Sequence, residues 1–187
     1  MQCSSFCDKC VEVCPNRANY TFTLSPVSVM LPQVSCQQGG WTVVGTESFH
    51  VTQARQIVHV ADFCNECGNC ATFCVHQGEP YRDKPRLYLQ ESDFQQETDN
   101  AFYIDKRDGG WMIHRREGGQ TLRLYVADAT GAMDFEDGRV RASLSPDFQI
   151  ETLELKTESE GTLSLRGAAE MAVLLKGVTV SLPFLPI

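Results

Sequence analysis

The chain of 187 residues has a formal net charge of −8, a hydrophobic fraction of 42% and nine cysteines. An acidic chain without a run of lysines or arginines lacks the basic face that nucleic-acid phosphates require, so we expect no nucleic-acid partner. We also expect no membrane partner and a cytoplasmic location, because the sequence has neither an apolar stretch long enough for a bilayer nor the pattern of a signal peptide. In such a chain the cysteines favour metal ligands over a disulfide framework, which is typical of short secreted domains.

The first cysteine set opens the chain and consists of Cys3, Cys7, Cys10 and Cys14. Its last three members follow the spacing C-x2-C-x3-C, and Pro15 comes next. We expect a ligand-binding turn that continues into a short helix, which Pro15 ends because proline removes a helical hydrogen-bond donor. Only two residues precede Cys3, so we also expect that the chain is part of a longer protein.

Residues 20–62 are rich in Val, Thr, Tyr and Phe and predict a β-rich insert, at about residues 20–60, between two cysteine sets. Gly39, Gly40 and Gly45 predict turns inside this insert. The predicted strands are Tyr20–Leu24, Val27–Val34, Trp41–Val44, Phe49–Thr52 and Gln56–Val60. The last of them leads directly into the second cysteine set.

The second cysteine set, Cys64, Cys67, Cys70 and Cys74, places four thiols within eleven residues at the spacing C-x2-C-x2-C-x3-C. This spacing is typical of iron-sulfur loops, in which one tight turn supplies three thiolates to a cubane cluster and the fourth comes from elsewhere. Gly68 fits such a loop because glycine adopts positive φ without a steric penalty. Structural zinc is the alternative, since cysteine pairs also form four-thiolate zinc sites, although zinc ribbons separate two C-x2-C pairs by a spacer.

In ferredoxins with two clusters, the last cysteine of each run binds the cluster that the other run holds. Applied to this chain, the rule predicts two 4Fe-4S clusters and divides eight cysteines between them. One cluster takes Cys3, Cys7, Cys10 and Cys74, and the other takes Cys14, Cys64, Cys67 and Cys70.

Two departures from the ferredoxin pattern leave an alternative open at the first cluster. The first run begins with C-x3-C, and Val75 replaces the usual proline after Cys74. Cys3 is therefore either a ligand or a spare cysteine, with the true ligand upstream of Met1.

Cys36 and His76 are not predicted as ligands. Cys36 lies at the end of a predicted strand, and free cysteines are commonly small buried apolar residues. His76 follows Cys74 by two positions, and we expect it to pack beside a cluster.

The rest of the chain predicts a second domain that is acidic and mostly β. Residues 1–90 have a net charge of −1 and residues 91–187 a net charge of −7. The segment 86–90 is predicted as the closing strand of the first domain, and the polar segment 90–100 as a linker. The further predicted strands are Trp111–Arg116 and Gln120–Ala127, joined by a turn at 117–119, then Val140–Leu144 and Ile150–Lys156.

The sequence predicts one helix in this half, over Ala168–Lys176, with Gly177 as its cap and a last strand over Val178–Leu182. The predicted fold class is therefore α+β. A bacterial two-cluster ferredoxin-like lobe with a β insert, residues 1–90, precedes a β-rich domain of unassigned role, residues 91–187.

Three segments of the first domain carry a resemblance to a known family: 10–19 (CVEVCPNRAN), 61–74 (ADFCNECGNCATFC) and 81–87 (YRDKPRL). They resemble the C-terminal part of the iron-sulfur subunit of the selenate reductase family, large bacterial flavoproteins similar to the glutamate synthase small subunit. The resemblance implies an electron-transfer segment that works beside a flavin- and nicotinamide-binding module and a molybdenum hydroxylase system. This sequence contains none of those other sites.

Two functions are consistent with these features. The first is electron transfer through two 4Fe-4S clusters within a larger oxidoreductase, with no catalytic residue in this chain. The second is a non-catalytic docking module, in which zinc or iron-sulfur sites are structural and the acidic half recruits a partner.

Overall fold

The computed structural model describes residues 3–37, 40–157 and 161–187, and strands dominate these ranges. The strands are β1 Asn19–Thr23, β2 Val27–Gln37, β3 Gly40–Val51, β4 Arg55–Val60, β5 Arg86–Tyr88, β6 Ala101–Arg107, β7 Gly110–Glu117, β8 Gln120–Ala127, β9 Met133–Glu136, β10 Val140–Leu144, β11 Ile150–Leu155 and β12 Gly161–Ser164. The helices are α1 Lys9–Glu12, α2 Asn69–Thr72, α3 Pro80–Asp83, α4 Glu91–Phe94 and α5 Arg166–Ser181, and a short 3-10 helix covers Ala61–Phe63.

The strands form a large sheet and a small one. The large sheet has nine strands in the order β1-β4-β5-β6-β7-β8-β9-β10-β11, and the small sheet has the order β12-β2-β3. Neighbouring strands are antiparallel, except that β5 runs parallel to both β4 and β6. Parallel neighbours need a crossover connection, and the crossover from β4 to β5 contains the second cysteine set. The first set precedes β1, which runs antiparallel to β4. The start of β1 therefore lies beside the end of β4, and both cysteine sets lie at this end of the two strands.

Helix α5 covers the sheet and buries the main core. It contacts β1, β7 and β8, and its Ala168, Met171 and Leu174 are completely buried. The same apolar cluster contains Phe22 of β1 and Leu124 of β8. Burial of this apolar surface stabilises the packing of α5 on the sheet.

The prediction that Gly177 ends the last helix is wrong, as is the strand over Val178–Leu182, because α5 continues to Ser181. The reason is a close approach between α5 and β1. A Cβ atom at position 177 would overlap the ring of Phe22, so this glycine serves packing inside the helix and not capping at its end.

The predicted closing strand at 86–90 lies inside the sheet instead, between β4 and β6. Leu87 is completely buried and Tyr88 is 8% exposed, as expected for a short strand with neighbours on both sides. The predicted linker contains α4, whose Phe94 is completely buried against Tyr88 and Ala101. This segment is therefore a packed connection.

The boundary predicted near residue 90 does not separate two hydrophobic cores. Strand β5 pairs with β6 across it, and β12 pairs with β2. The cluster around Phe22 also includes residues from both halves of the chain.

The hairpin of β2 and β3 also differs from its prediction. The predicted strand Trp41–Val44 and all of Phe49–Thr52 except Thr52 belong to one strand, β3, which passes through Gly45 without a turn. Gly45 lies opposite Gln33, next to a shift in register, and a bulge of this kind absorbs a glycine within a strand. The predicted turn residue Gly39 lies outside the described residues. The predicted strands Gln120–Ala127 and Val140–Leu144 are confirmed with the same bounds.

No helix in the described part of the chain is both long and apolar enough to span a bilayer.

Candidate metal centre

The two cysteine runs fold into the same backbone shape, sixty positions apart. Cys7 corresponds to Cys67, and each is followed by a left-handed residue, Asp8 with φ of 57° and Gly68 with φ of 77°. The carbonyl of Asp8 accepts two amides of α1 at 2.8 and 3.2 Å, and the carbonyl of Gly68 accepts two amides of α2, both at 3.0 Å. Only the glycine was expected from its residue type, because a left-handed aspartate is less common.

The repeat extends to the end of each run. The residues three positions after Cys14 and Cys74 are again left-handed, with φ of 51° and 55°. The next amides then point back at sulfur. Ala18 N lies 3.2 Å from Cys14 Sγ, and Gly78 N lies 3.4 Å from Cys74 Sγ. Amide donors aimed at sulfur are a common feature of the surroundings of metal-bound cysteines.

Four of the predicted ligands surround one cavity. Cys3, Cys7, Cys10 and Cys74 line a cavity of about 260 Å³. They are the four assigned to one cluster from the rule that the last cysteine of one run serves the other. Cys74 is brought to the N-terminal set by the contact between α1 and α2.

Among the other four predicted ligands, Cys14, Cys64, Cys67 and Cys70, Cys64 lies near Cys14 and Cys67, and Cys70 lies near Cys14 and Cys64. Burial is the main cause that raises the pKa of the Cys64 thiol, and Cys14 and Cys67 raise it further. Burial also raises the pKa of Cys70, with smaller contributions from Cys14 and Cys64. This set therefore brings together a cysteine of the first run and three of the second.

Cys10 and Cys70 occupy equivalent places in the two runs, and both are buried. They share a small apolar cluster with Ile57 of β4, separate from the main core. Burial raises the pKa of Cys10 to about 11, while the nearby Lys84 ammonium opposes the rise. A metal that binds at these positions must displace a proton from each thiol.

Polar side chains fix the N-terminal set in place. Lys84 Nζ lies 2.9 Å from Cys3 Sγ, and Gln53 Nε2 donates to Cys3 O at 2.6 Å. These contacts hold Cys3 at the cavity although its spacing departs from the ferredoxin pattern.

A buried asparagine connects the first run to β4. Asn19 Nδ2 donates to Cys10 O at 2.9 Å, and its Oδ1 lies 2.8 Å from His59 Nδ1. Asn19 and His59 are each 2% exposed. Sequence analysis missed both residues, together with Lys84 and Gln53, because their roles depend on contacts between distant parts of the chain.

His76 and Cys36 were not predicted as ligands. The structure gives His76 hydrogen-bond partners and places Cys36 in the main core. His76 bonds Ser4 Oγ at 2.9 Å through Nδ1 and Ser5 O at 2.8 Å through Nε2. Cys36 is 7% exposed and belongs to the main core.

Within the described ranges, no three His, Cys, Asp or Glu side chains are arranged to hold a single metal ion. A 4Fe-4S cluster does not require three ligands around one ion, because its four thiolates bind a cluster of four irons.

Comparisons with known proteins give a partial relationship. No protein-family model matches the chain, and no solved structure matches it. Two curated proteins from Escherichia coli, from strain K12 and from O157:H7, are 33% identical over 105 residues, and both carry the name "Putative oxidoreductase YgfK". The match covers 56% of this chain and 8% of each relative. The chain therefore spans less than a tenth of these relatives, and the similarity supports a relationship to an oxidoreductase.

Proposed function

We propose that this chain is the electron-transfer segment of a larger cytoplasmic oxidoreductase and that it holds two 4Fe-4S clusters. Cys3, Cys7, Cys10 and Cys74 would hold one cluster, and Cys14, Cys64, Cys67 and Cys70 the other. The observation that carries the proposal is the cavity lined by the first four of these cysteines. Three of them come from one run and the fourth from the other, which is the crossed arrangement of two-cluster ferredoxins.

The surroundings of the sulfurs support this proposal. Amides of Ala18 and Gly78 point at sulfur in both runs, and the sulfurs of Cys10 and Cys70 are shielded by apolar residues around Ile57. Hydrogen bonds to sulfur and burial are the means by which a protein sets the potential of such a group. When bound, each cluster supplies one-electron redox chemistry, while the chain supplies position and electrostatics.

The partners of this segment follow from the proposal and from the resemblance of residues 1–90. The match of 105 residues covers 8% of each relative, so the relatives are about seven times as long as this chain and have room for the flavin- and nicotinamide-binding module. A molybdenum hydroxylase system would be the partner enzyme. In this arrangement the segment carries electrons and contributes no catalytic residue.

Metal analysis of the 187-residue chain tests the proposal. We expect about eight irons and about eight sulfides per chain after anaerobic purification, with a brown colour and an electron paramagnetic resonance signal after reduction by dithionite. Cys10→Ala and Cys70→Ala should each lose about half of the iron. Cys36→Ala is the matched control, because Cys36 is as buried as Cys70, at 7% exposure for both, but lies in the main core.

A colourless chain with stoichiometric zinc would contradict the proposal and support a structural metal site. Loss of as much iron in Cys36→Ala as in Cys70→Ala would contradict the ligand assignment.

A further inference from the structure

Lys84 brings a positive charge into the cavity of the N-terminal cysteine set. It lies between α3 and β5, and it is 8% exposed. Its Nζ donates a hydrogen bond to Cys3 Sγ at 2.9 Å. Its backbone is fixed as well, because Lys84 N donates to Pro80 O at 3.2 Å and Lys84 O accepts a hydrogen bond from Asn100 Nδ2 at 2.8 Å.

The other charged residues of the cavity wall have partners outside it. Lys9 Nζ bonds Glu12 Oε2 at 2.7 Å, and its side chain is 47% exposed. The carboxylate of Asp83 accepts the amide of Glu79 at 2.6 Å. Lys84 is thus the cavity-lining cation for which the structure shows a bond to a ligand sulfur.

The second cysteine set has a different environment. The repeated backbone shape does not extend to Lys84, because strand β1 follows the first run whereas helix α3 follows the second. Near the second set, Glu66 N lies 3.3 Å from Cys64 Sγ, and the Glu66 carboxylate contributes to the raised pKa of Cys64. The first set therefore has a buried ammonium group bonded to a cysteine sulfur, whereas the charged neighbour of Cys64 is an exposed carboxylate.

We propose that Lys84 raises the reduction potential of the cluster held by Cys3, Cys7, Cys10 and Cys74 above that of the second cluster. This inference rests on the proposed function. Reduction adds one electron, and hence one negative charge, to a cluster. A buried ammonium group in contact with a ligand sulfur stabilises that added charge more strongly than it would in water. Lys84 then favours the presence of the electron on the cluster held by the first four cysteines.

Potentiometric titration of the 187-residue chain, followed by electron paramagnetic resonance with dithionite as reductant, tests this role. Lys84→Gln should lower the potential of one cluster by about 59 mV or more, a tenfold change in its ratio of reduced to oxidised forms. The other cluster should keep its potential. A Cys67→Ala background, which removes a ligand of the second cluster, identifies which of the two potentials moves.

Two further variants separate charge from packing. Lys84→Arg keeps the positive charge and should keep the potential within a threefold change in that ratio. Lys9→Gln is the matched control, because Lys9 lines the same cavity but is exposed and bonds Glu12, and it should move the potential less than Lys84→Gln does.

The outcomes distinguish this proposal from the proposed function. If both clusters are present and Lys84→Gln moves neither potential more than Lys9→Gln does, the role of Lys84 is refuted while electron transfer stands. Equal shifts in Lys84→Gln and Lys84→Arg, or loss of one cluster from Lys84→Gln, would also refute it, because the residue would then act through packing or assembly. A wild-type chain without iron and sulfide would instead refute the proposed function.

Discussion

Gly177 shows how one missing side chain decides the contact between a helix and the sheet. The completely buried ring of Phe22 fills the space that a Cβ atom at position 177 would need. Alanine is normally favoured over glycine inside a helix by about 1 kcal/mol. Here the overlap with a completely buried ring should outweigh that preference.

We predict that Gly177→Ala lowers the free energy of unfolding by about 2 kcal/mol, within the usual range for overpacked cores. Urea unfolding followed by circular dichroism measures the change. Gly167→Ala is the matched control in the same helix, because its Cβ would meet Leu122 Cδ2 at an ordinary 3.4 Å. It should be neutral or slightly stabilising, and equal stability of the two variants would contradict the packing argument.

His59 links the site to the pH dependence of the whole chain. Burial, and secondarily the charge of Arg86, lowers the pKa of His59 to about 4 in the folded state, against about 6.5 in an unfolded chain. The unfolded state therefore binds a proton that the folded state does not. Stability is complete above pH 6.5 and falls as the pH decreases towards 4. Burial also lowers the pKa of His114, with partial opposition from Asp105, so this histidine acts in the same direction.

We predict that the wild-type chain loses up to about 3 kcal/mol of stability to His59 between about pH 7 and about pH 4. His59→Gln should flatten this part of the curve, as measured by urea unfolding at a series of pH values. His50→Gln serves as the control because His50 is exposed on β3. Parallel curves for the wild type and His59→Gln would show that His59 does not cause the pH dependence.

At the scale of elements, sequence patterns predicted the loops and turns that depend on residues close together in the chain. The spacing of the cysteines and Gly68 predicted two loops, and the turn at Gly118 and Gly119 predicted the β7–β8 hairpin. Strands β6, β9 and β12 had no predicted counterpart. Strand β12 has only four residues, and its partner β2 lies more than a hundred positions earlier. A pairing of that kind leaves little trace in the local pattern.

The candidate site divides in the same way. Its eight cysteines were predicted from their spacing, and four of them surround the cavity. Lys84 could not be predicted, because nothing in the segment 78–85 indicates that its side chain reaches Cys3, 81 positions away. Asn19 and His59 were missed for the same reason, since each gains its role only when β1 pairs with β4.

At the scale of the whole molecule, the cysteine lobe depends on the half of the chain that carries no cysteines. Helix α5 covers Phe22, β6 pairs with β5, and β12 pairs with β2. A fragment of residues 1–90 would leave those surfaces exposed to water. Exposed apolar surface and an unpaired strand edge both oppose independent folding.

We predict that the fragment 1–90 shows no cooperative unfolding transition when heated, because its core lacks the cover of α5. Circular dichroism and iron content, both compared with the 187-residue chain, measure this. Addition of a separate fragment 91–187 should restore at least part of the transition. A sharp transition and full iron content in the fragment 1–90 alone would show that the first ninety residues form an independent unit.

The crossed grouping of the cysteines also has a consequence for the unfolded chain. Cys14 and Cys64 are separated by 49 residues, and a group bound to both would close that stretch into a loop. Closing a loop of this length restricts an unfolded chain by on the order of 4 kcal/mol. The β2–β3 hairpin lies inside the loop and would be tied at its base. A group bound to both cysteines would then stabilise the hairpin because it reduces the conformational freedom that the hairpin gains on unfolding. The group would do so without touching the hairpin in the folded state.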